Sequence, residues 1–255
     1  MELNKIYNEN CLDTMAKMPN GFVDLVVTSP PYDNLRDYKG YSFEFEKIAQ
    51  ELYRVVKDGG VVVWVVNDAT VDGSETGTSF KQALYFKEIG FNIHDTMIWS
   101  KKNPMPQVKT KRYFAKFEYM FVFSKGQPKT FNPIMIETKL GGETYNSTVK
   151  QISKDMVRVE KNFVLNNERV KDNIWELAIA QNQTSHPAVF PEQLAYDHII
   201  SWSNENDIIY DPFTGSGTTC KMAHYSRRNY IGSEISKEYC DIANQRLLDS
   251  VIGLV

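Results

Sequence analysis

Two short stretches of this sequence hold residue types at spacings that suit chemistry. The first, Asp211-Pro212-Phe213-Thr214-Gly215-Ser216-Gly217-Thr218-Thr219, follows a strand-like run at 207–210 and precedes a helical pattern. Such a glycine-rich turn presents backbone N–H groups at a helix N-terminus, in the crevice at the carboxyl end of a parallel strand, and suits a nucleotide-like ligand. The Gly-Lys-Ser/Thr ending of a phosphate loop is absent, and Cys220 stands at the third glycine position of a dinucleotide fingerprint, so neither ATP nor NAD is favoured. Twenty-three residues after Asp211, at the end of the next strand, Glu234 is the acid expected to accept from both hydroxyls of a ribose. Taken singly, the glycines read as a tight turn and Glu234 as a surface charge; the pair is poorly explained that way.

The second stretch is Ser29-Pro30-Pro31-Tyr32, delivered by a strand to the same sheet edge. Two consecutive prolines fix φ and remove two N–H groups, so the turn offers acceptors without donors and suits a bound amino group. Tyr32 adds a flat face on which a base can stack. In isolation these four residues read as a loop or as a ligand for a small peptide-binding module, and the neighbouring glycine-rich turn reverses that ranking.

The elements that must position both stretches alternate between strand and helix. Residues 22–28 predict a buried strand, and Ile48, Leu52, Val55 and Val56 then fall on one helical face, with Lys57-Asp58-Gly59-Gly60 as the stop. A strand at 61–67 is apolar throughout, as expected when both faces are covered. A loop at 73–77, a helix ending at Gly90 and β-rich runs at 93–99 and 118–124 follow, while Asn103-Pro104-Met105-Pro106 disfavours regular structure. Periodicity is poor over 126–173. It returns with a helix from Pro191 to about 204, a strand at 207–210, the glycine-rich turn, a helix to about 226, a strand at 230–232 and a terminal helix. The class is α/β, with residues 1–100 and 176–255 forming one domain and 101–175 an insertion partly separate from the sheet.

At 255 residues, with 42% hydrophobic and 24% charged, the chain is neither a disulfide-stapled miniprotein nor disordered. Its longest apolar stretch, residues 61–66, is too short to span a membrane, and the first five residues carry no signal pattern, so a cytoplasmic protein without a membrane partner is expected. The cysteines Cys11, Cys220 and Cys240 are dispersed and the four histidines do not cluster with them, which argues against a metal. Net charge is −3, but residues 100–175 hold fifteen Lys and Arg against seven Asp and Glu, while the rest holds fourteen against twenty-five. Within that basic segment Lys101-Lys102-Asn103, Lys109, Lys111-Arg112-Tyr113-Phe114 and Lys116-Phe117 interleave cations, aromatics and an amide, a pattern that suits phosphates and bases as well as an ordinary solvated surface.

Together Thr28-Ser29-Pro30-Pro31-Tyr32, the Asp211–Thr219 stretch and Ile231-Gly232-Ser233-Glu234 resemble the amino-group DNA methyltransferases that use S-adenosylmethionine. The tetrapeptide precedes the cofactor motif with a basic segment between them, an order similar to the β class of that family. Residues 98–106 and Glu118-Tyr119 also look like family motifs; only about 126–173 lacks a match, as in a target-recognition region. The resemblance implies a Rossmann-like methyltransferase fold: a mostly parallel sheet, an antiparallel edge hairpin and an inserted target-recognition region. It assigns Asp211, Phe213, Gly215, Ser216, Gly217 and Thr218 to the methionine part of the cofactor, Glu234 to the ribose, and Asn10 and Cys11 to the vicinity of the adenine. Asn10 stands where the family commonly has Asp, so that contact loses its charge assistance. In His186-Pro187-Ala188-Val189-Phe190-Pro191, Val189-Phe190 replaces a common Gln-Lys, and the contact of that lysine to the cofactor carboxylate is missing.

The implied reaction is methyl transfer to the N4 amine of cytosine in duplex DNA after base flipping, with S-adenosylhomocysteine as product and no metal. Ser29 and the Pro30 carbonyl would each accept one N–H of the target amine, with Pro31 and Tyr32 completing the catalytic tetrapeptide. Serine at its first position is associated mainly with cytosine N4, and adenine N6 is the alternative. No proline precedes any cysteine, which disfavours carbon-5 methylation. A silent nucleic-acid-binding module with this fold, and methylation of RNA or a protein amide, are the competing readings. Lys101, Lys102, Asn103, Lys109, Lys111 and Arg112 are the nominated DNA-facing residues. A homodimer, a cognate restriction endonuclease and the recognition sequence stay open.

Overall fold

The computed structural model describes residues 1–31, 43–104, 111–150, 158–179 and 190–252. The chain runs β1 (Lys5–Tyr7), α1 (Cys11–Ala16), β2 (Val23–Thr28), α2 (Phe45–Val55), β3 (Val56–Val66), β4 (Thr70–Val71), β5 (Ser74–Glu75), α3 (Thr78–Glu88), β6 (Asn92–Lys101) and β7 (Phe117–Ser124). It continues with β8 (Met135–Glu137), β9 (Thr144–Lys150), β10 (Arg158–Val164), β11 (Glu168–Val170), β12 (Ile174–Leu177), α4 (Glu192–Trp202), β13 (Ile208–Asp211), α5 (Thr218–Tyr225), β14 (Asn229–Ser233) and α6 (Lys237–Ile252).

Among the described residues, eight strands form one sheet in the order β1-β14-β13-β2-β3-β7-β6-β12. The first five strands run parallel; β7 is antiparallel to both β3 and β6, and β12 adds a strand parallel to β6. This is the mostly parallel sheet that the resemblance implies. Residues 61–66 of β3 are fully buried, which explains their unbroken apolar run. Over them α2 lays Ile48, Ala49, Leu52 and Val55, one stripe at helical spacing. Aromatic rings fill the space between, with Phe86 stacked on Phe123 at 4.5 Å and edge-on to Trp64 at 5.1 Å.

The junction of α2 and β3 differs from the helix stop expected at Lys57-Asp58-Gly59-Gly60. The helix ends at Val55, the strand starts at once, and its register to β2 slips between the Val23↔Val56 and Leu25↔Val61 pairs. Gly59, with φ +83°, makes the slip possible: its N–H donates to the Lys125 carbonyl at 2.6 Å, and the Gly60 carbonyl accepts from Lys125 N–H at 3.0 Å. Neither β1 nor the six-residue α1 is signalled by periodicity, since both are too short to establish a period.

Contacts divide the chain into two compact units, Met1–Asn132 with Asn173–Val255, and Pro133–Asp172. The sheet lies in the first. The second contains the antiparallel pairs β9–β10 and β8–β11, with Tyr145 stacked on Phe163 at 5.6 Å. The separate unit is thus narrower than 101–175, because β7 sits inside the main sheet. The basic excess divides unevenly too: residues 101–132 hold eight Lys and Arg against one acid, and 133–172 hold seven against six. Both ends of the break are tied into the larger unit. Asn132 donates its backbone N–H to Ser201 O (2.8 Å) and its side-chain amide to Ile200 O and Ser203 O; the Asn173 carbonyl accepts from Ile98 N–H (2.9 Å) and its side-chain amide donates to Asp95 Oδ1 (3.2 Å). Among the described residues, no helix is long and apolar enough to cross a membrane.

Candidate active site

The chain winds away from β13 through β14 on one side and away from β2 through β3 on the other, so the boundary between β13 and β2 is a topological switch point. The carboxyl ends of β1, β14, β13 and β2 share one edge, and each delivers one of the singled-out residues there. Asn10 follows β1, Glu234 follows β14, Asp211 ends β13, and Ser29 follows β2.

Asp211 is wholly buried, and its Oδ1 accepts from Thr28 Oγ1 at 2.6 Å and from Phe213 N–H at 3.0 Å. One carboxylate therefore holds the last residue before Ser29 and shapes the first bend of the glycine-rich turn. Burial pushes the Asp211 carboxyl up to about 6, against the lowering effect of its hydrogen bonds. Pro30 is buried, and Ser29 and Pro31 are half-buried.

The turn itself needs its glycines. Gly215 and Gly217 have φ +52° and +85°, and a Cβ on Gly217 would lie 2.8 Å from that of Ala243 in α6. Thr214 N–H donates to Ser233 O (3.0 Å) and Gly217 N–H to Thr214 O (2.8 Å), which fixes the loop against β14. Phe213 turns inward, its ring edge-on to Phe43 at 5.6 Å. Glu234 ties the glycine-rich turn to the segment that follows β14: Oε2 accepts from Gly215 N–H (2.9 Å) and Oε1 from Ser236 N–H (2.8 Å). Burial raises its pKa above the ordinary carboxylate value, partly offset by those N–H donors.

Asn10 is the N-cap of α1, with its side-chain oxygen accepting from Leu12 N–H at 2.9 Å. An asparagine before a helix is a capping signal that the sequence carries openly. Cys11 is buried and its thiol is pushed up to about 12 by burial; Cys220 and Cys240 are likewise buried and raised by burial, which disfavours the thiolate in each. Among the described residues no group of three or more His, Cys, Asp or Glu could hold a metal ion.

The nominated basic residues separate into two kinds. Lys101 is half-buried: its Nζ pairs with the buried Glu118 at 2.7 Å and lies over the Trp99 ring at 5.3 Å. Lys102, Asn103, Lys111 and Arg112 are exposed, although Arg112 also pairs with Glu75 at 3.2 Å and Asn103 Oδ1 accepts from Ile179 N–H at 3.0 Å. Tyr32 and Lys109, and residues 186–189, lie outside the described residues.

Motif reading misses the support behind the turn. Thr28 enters the motif only as the neighbour of Ser29, yet it bonds Asp211. Arg246 of α6, Glu192 of α4 and Lys221 of α5 meet behind Ser216, and no sequence signal links residues so far apart.

Three comparisons bear on this arrangement. A family model described as DNA methylase, of the N6/N4 methyltransferase type, matches residues 23–245. The orphan methyltransferase M.BamHII of Bacillus amyloliquefaciens is 54% identical over 241 residues, covering 90% of each chain; the type II methyltransferase M.BglII of Bacillus subtilis is 30% identical over 257 residues, covering 96% of this chain and 69% of its own. Among solved structures, the cytosine-N4-specific PvuII DNA methyltransferase superposes with a TM-score of 0.72 at 20% identity, covering 96% of this chain and 86% of its own. The putative DNA modification methylase TTHA0409 of Thermus thermophilus, solved with S-adenosyl-L-methionine, superposes with a TM-score of 0.65 at 22% identity, covering 97% of this chain and 96% of its own.

Proposed function

The chain belongs to the N6/N4 DNA methylase family and is a DNA methyltransferase; from that premise we propose that it transfers a methyl group from S-adenosylmethionine to the exocyclic N4 amine of cytosine in a base flipped out of duplex DNA. The observation that carries this reading is the Thr28–Asp211 hydrogen bond, which ties the Ser29-Pro30-Pro31 acceptors to the glycine-rich turn across the switch point.

The residues present fit the cofactor. Two left-handed glycines bring backbone close to a ligand at the N-terminus of α5, where the first-turn N–H groups have no intrahelical partner and suit a carboxylate. Asp211 and Glu234, both pushed up by burial, complement a ligand carrying a sulfonium and an ammonium group. Phe213, Gly215, Ser216, Gly217 and Thr218 would surround its methionine part, Glu234 its ribose, and the Asn10-Cys11 start of α1 its adenine. Bound there, S-adenosylmethionine supplies an electrophilic methyl group.

An exocyclic amine is a poor nucleophile because its lone pair is conjugated with the ring. Ser29 Oγ and the Pro30 carbonyl, each accepting one N–H, turn that lone pair out of the ring plane. The proton leaves to water, and no covalent enzyme intermediate forms. Flipping the base costs a few kcal/mol, and Tyr32 is its stacking partner. Residues 101–175 serve as the DNA-binding and target-recognition segment, with Lys102, Asn103, Lys109, Lys111 and Arg112 toward the duplex. The enzyme acts in the cytoplasm. Ser29, Asp211 and Glu234 come from one chain, so a homodimer or a partner endonuclease would be additional to this site.

The decisive test incubates the protein with methyl-labelled S-adenosylmethionine and mixed-sequence duplex DNA, then identifies the labelled nucleoside by mass. Label on N4-methyldeoxycytidine is expected. Label on N6-methyldeoxyadenosine overturns the inference from Ser29, and no label on DNA with the cofactor bound overturns the DNA reading.

Two further results are expected. A carboxyl raised in the fold stabilises it below the ordinary carboxylate value and loses that contribution as pH rises through the raised value. For Asp211 that loss falls around pH 6, and a cationic ligand reverses its sign. The thermal stabilisation conferred by S-adenosylmethionine should therefore be larger at pH 7.5 than at pH 5, and Asp211→Asn should flatten the difference. Lys102→Glu and Lys111→Glu should weaken DNA binding about uniformly across sequences and lower the slope of log affinity against log salt, with cofactor affinity unchanged; an unaltered slope places these residues away from DNA.

A further inference from the structure

We infer that Arg246 is a positioning residue for the glycine-rich turn, anchored by Glu192, and that it sets the affinity of that turn for the carboxylate end of the cofactor. The inference rests on the reading of the turn as the cofactor site. A turn can aim its N–H groups at a ligand only if the carbonyls on its far side are satisfied elsewhere. Here Arg246 Nη1 donates to the Ser216 carbonyl at 2.5 Å and to Ser216 Oγ at 2.9 Å, and it approaches Thr218 Oγ1 at 3.4 Å. Ser216 is 2% exposed, so this guanidinium is the partner its buried carbonyl and hydroxyl have.

The other arm of the guanidinium fixes where the first arm can reach. Arg246 Nη2 donates to Glu192 Oε1 at 2.7 Å, and the same oxygen accepts from Lys221 Nζ at 2.7 Å. Glu192 opens α4, Lys221 lies in α5 and Arg246 in α6, so one carboxylate draws three helices together. Two cations share one anion, which leaves one positive charge in excess directly behind the N-terminus of α5, where helix dipole and charge both favour an anion on the other side. Arginine suits this post because its planar fork donates in two directions at once; a lysine has a single point of charge.

The test measures equilibrium binding of S-adenosylmethionine and of decarboxylated S-adenosylmethionine, together with KM and kcat, for the wild type, Arg246→Met, Arg246→Lys and Glu192→Gln. Arg246→Met should weaken binding of S-adenosylmethionine roughly ten- to hundredfold, as for the loss of a charge-assisted contact, with kcat nearly unchanged and a much smaller loss for the decarboxylated ligand. Arg246→Lys should fall between Met and wild type, and Glu192→Gln should give a milder form of the Met result. Equal losses for both ligands, or a fall in kcat at unchanged affinity, overturns the inference. If Arg246→Met does not fold, the Lys and Gln variants decide by the same comparison of ligands. A wild type that binds neither ligand overturns the cofactor reading itself, whereas a wild type that binds both, beside an Arg246→Met indistinguishable from it, overturns the role of Arg246 alone.

Discussion

Ser29→Ala is expected to slow methyl transfer about 10²–10³-fold while leaving cofactor affinity within about a factor of two, the loss typical of removing one preorganised partner of a reacting group. Thr28 is locked by its bond to the buried Asp211, the next residue is Ser29, and Pro30 behind it is buried, so the serine has little freedom to be replaced by a neighbour. Alanine keeps the backbone and the Pro30 carbonyl but removes one of the two acceptors proposed to turn the amine out of conjugation. Single-turnover transfer to DNA measures the chemical step apart from product release. A variant within about threefold of wild type would show that the Pro30 carbonyl suffices and that Ser29 has another role.

Gly217→Val is expected to abolish cofactor binding and to destabilise the fold by on the order of 2–4 kcal/mol, from the left-handed backbone strain of a β-branched residue plus overpacking. Gly217 has φ +85°, and its Cβ would meet Ala243 at 2.8 Å on one of the helices that frame the turn. Either α6 moves outward or the turn rotates; both misdirect the N–H groups at the start of α5. Urea unfolding and titration with S-adenosylmethionine check the two effects separately. Retained binding at reduced stability would place the cofactor elsewhere.

The parts legible from sequence were those that local chemistry dictates. The strand 61–66, the glycine-rich turn and the Ser-Pro-Pro turn announce themselves because a covered strand must be apolar, a left-handed turn must use glycine, and consecutive prolines leave the chain little choice. The start of β3 is hidden in the sequence because Lys57-Asp58-Gly59-Gly60 has the composition of a helix stop, and only pairing with Lys125, far along the chain, makes it part of a strand. The strands β8 to β12 are not legible because pieces of three to seven residues with mixed polarity carry too little pattern. Lys101 lies in a basic run and reads as surface, yet Glu118 draws it inward. Arg246 shows the same limit most sharply: its partners at 192 and 216 are neighbours only once three helices have packed.

The pinned asparagines at the two ends of Pro133–Asp172 carry a consequence for how such a chain can change over time. Asn132 and Asn173 are fastened to the sheet-bearing unit by bonds that involve nothing between them. Everything from Pro133 to Asp172 can be shortened, lengthened or exchanged without loosening either fastening, and the basic excess of residues 101–132 lies outside it. The fold thus keeps the sheet and the residues proposed for the reaction in one heritable block and holds the remaining forty residues as a cassette whose sequence can drift apart from it.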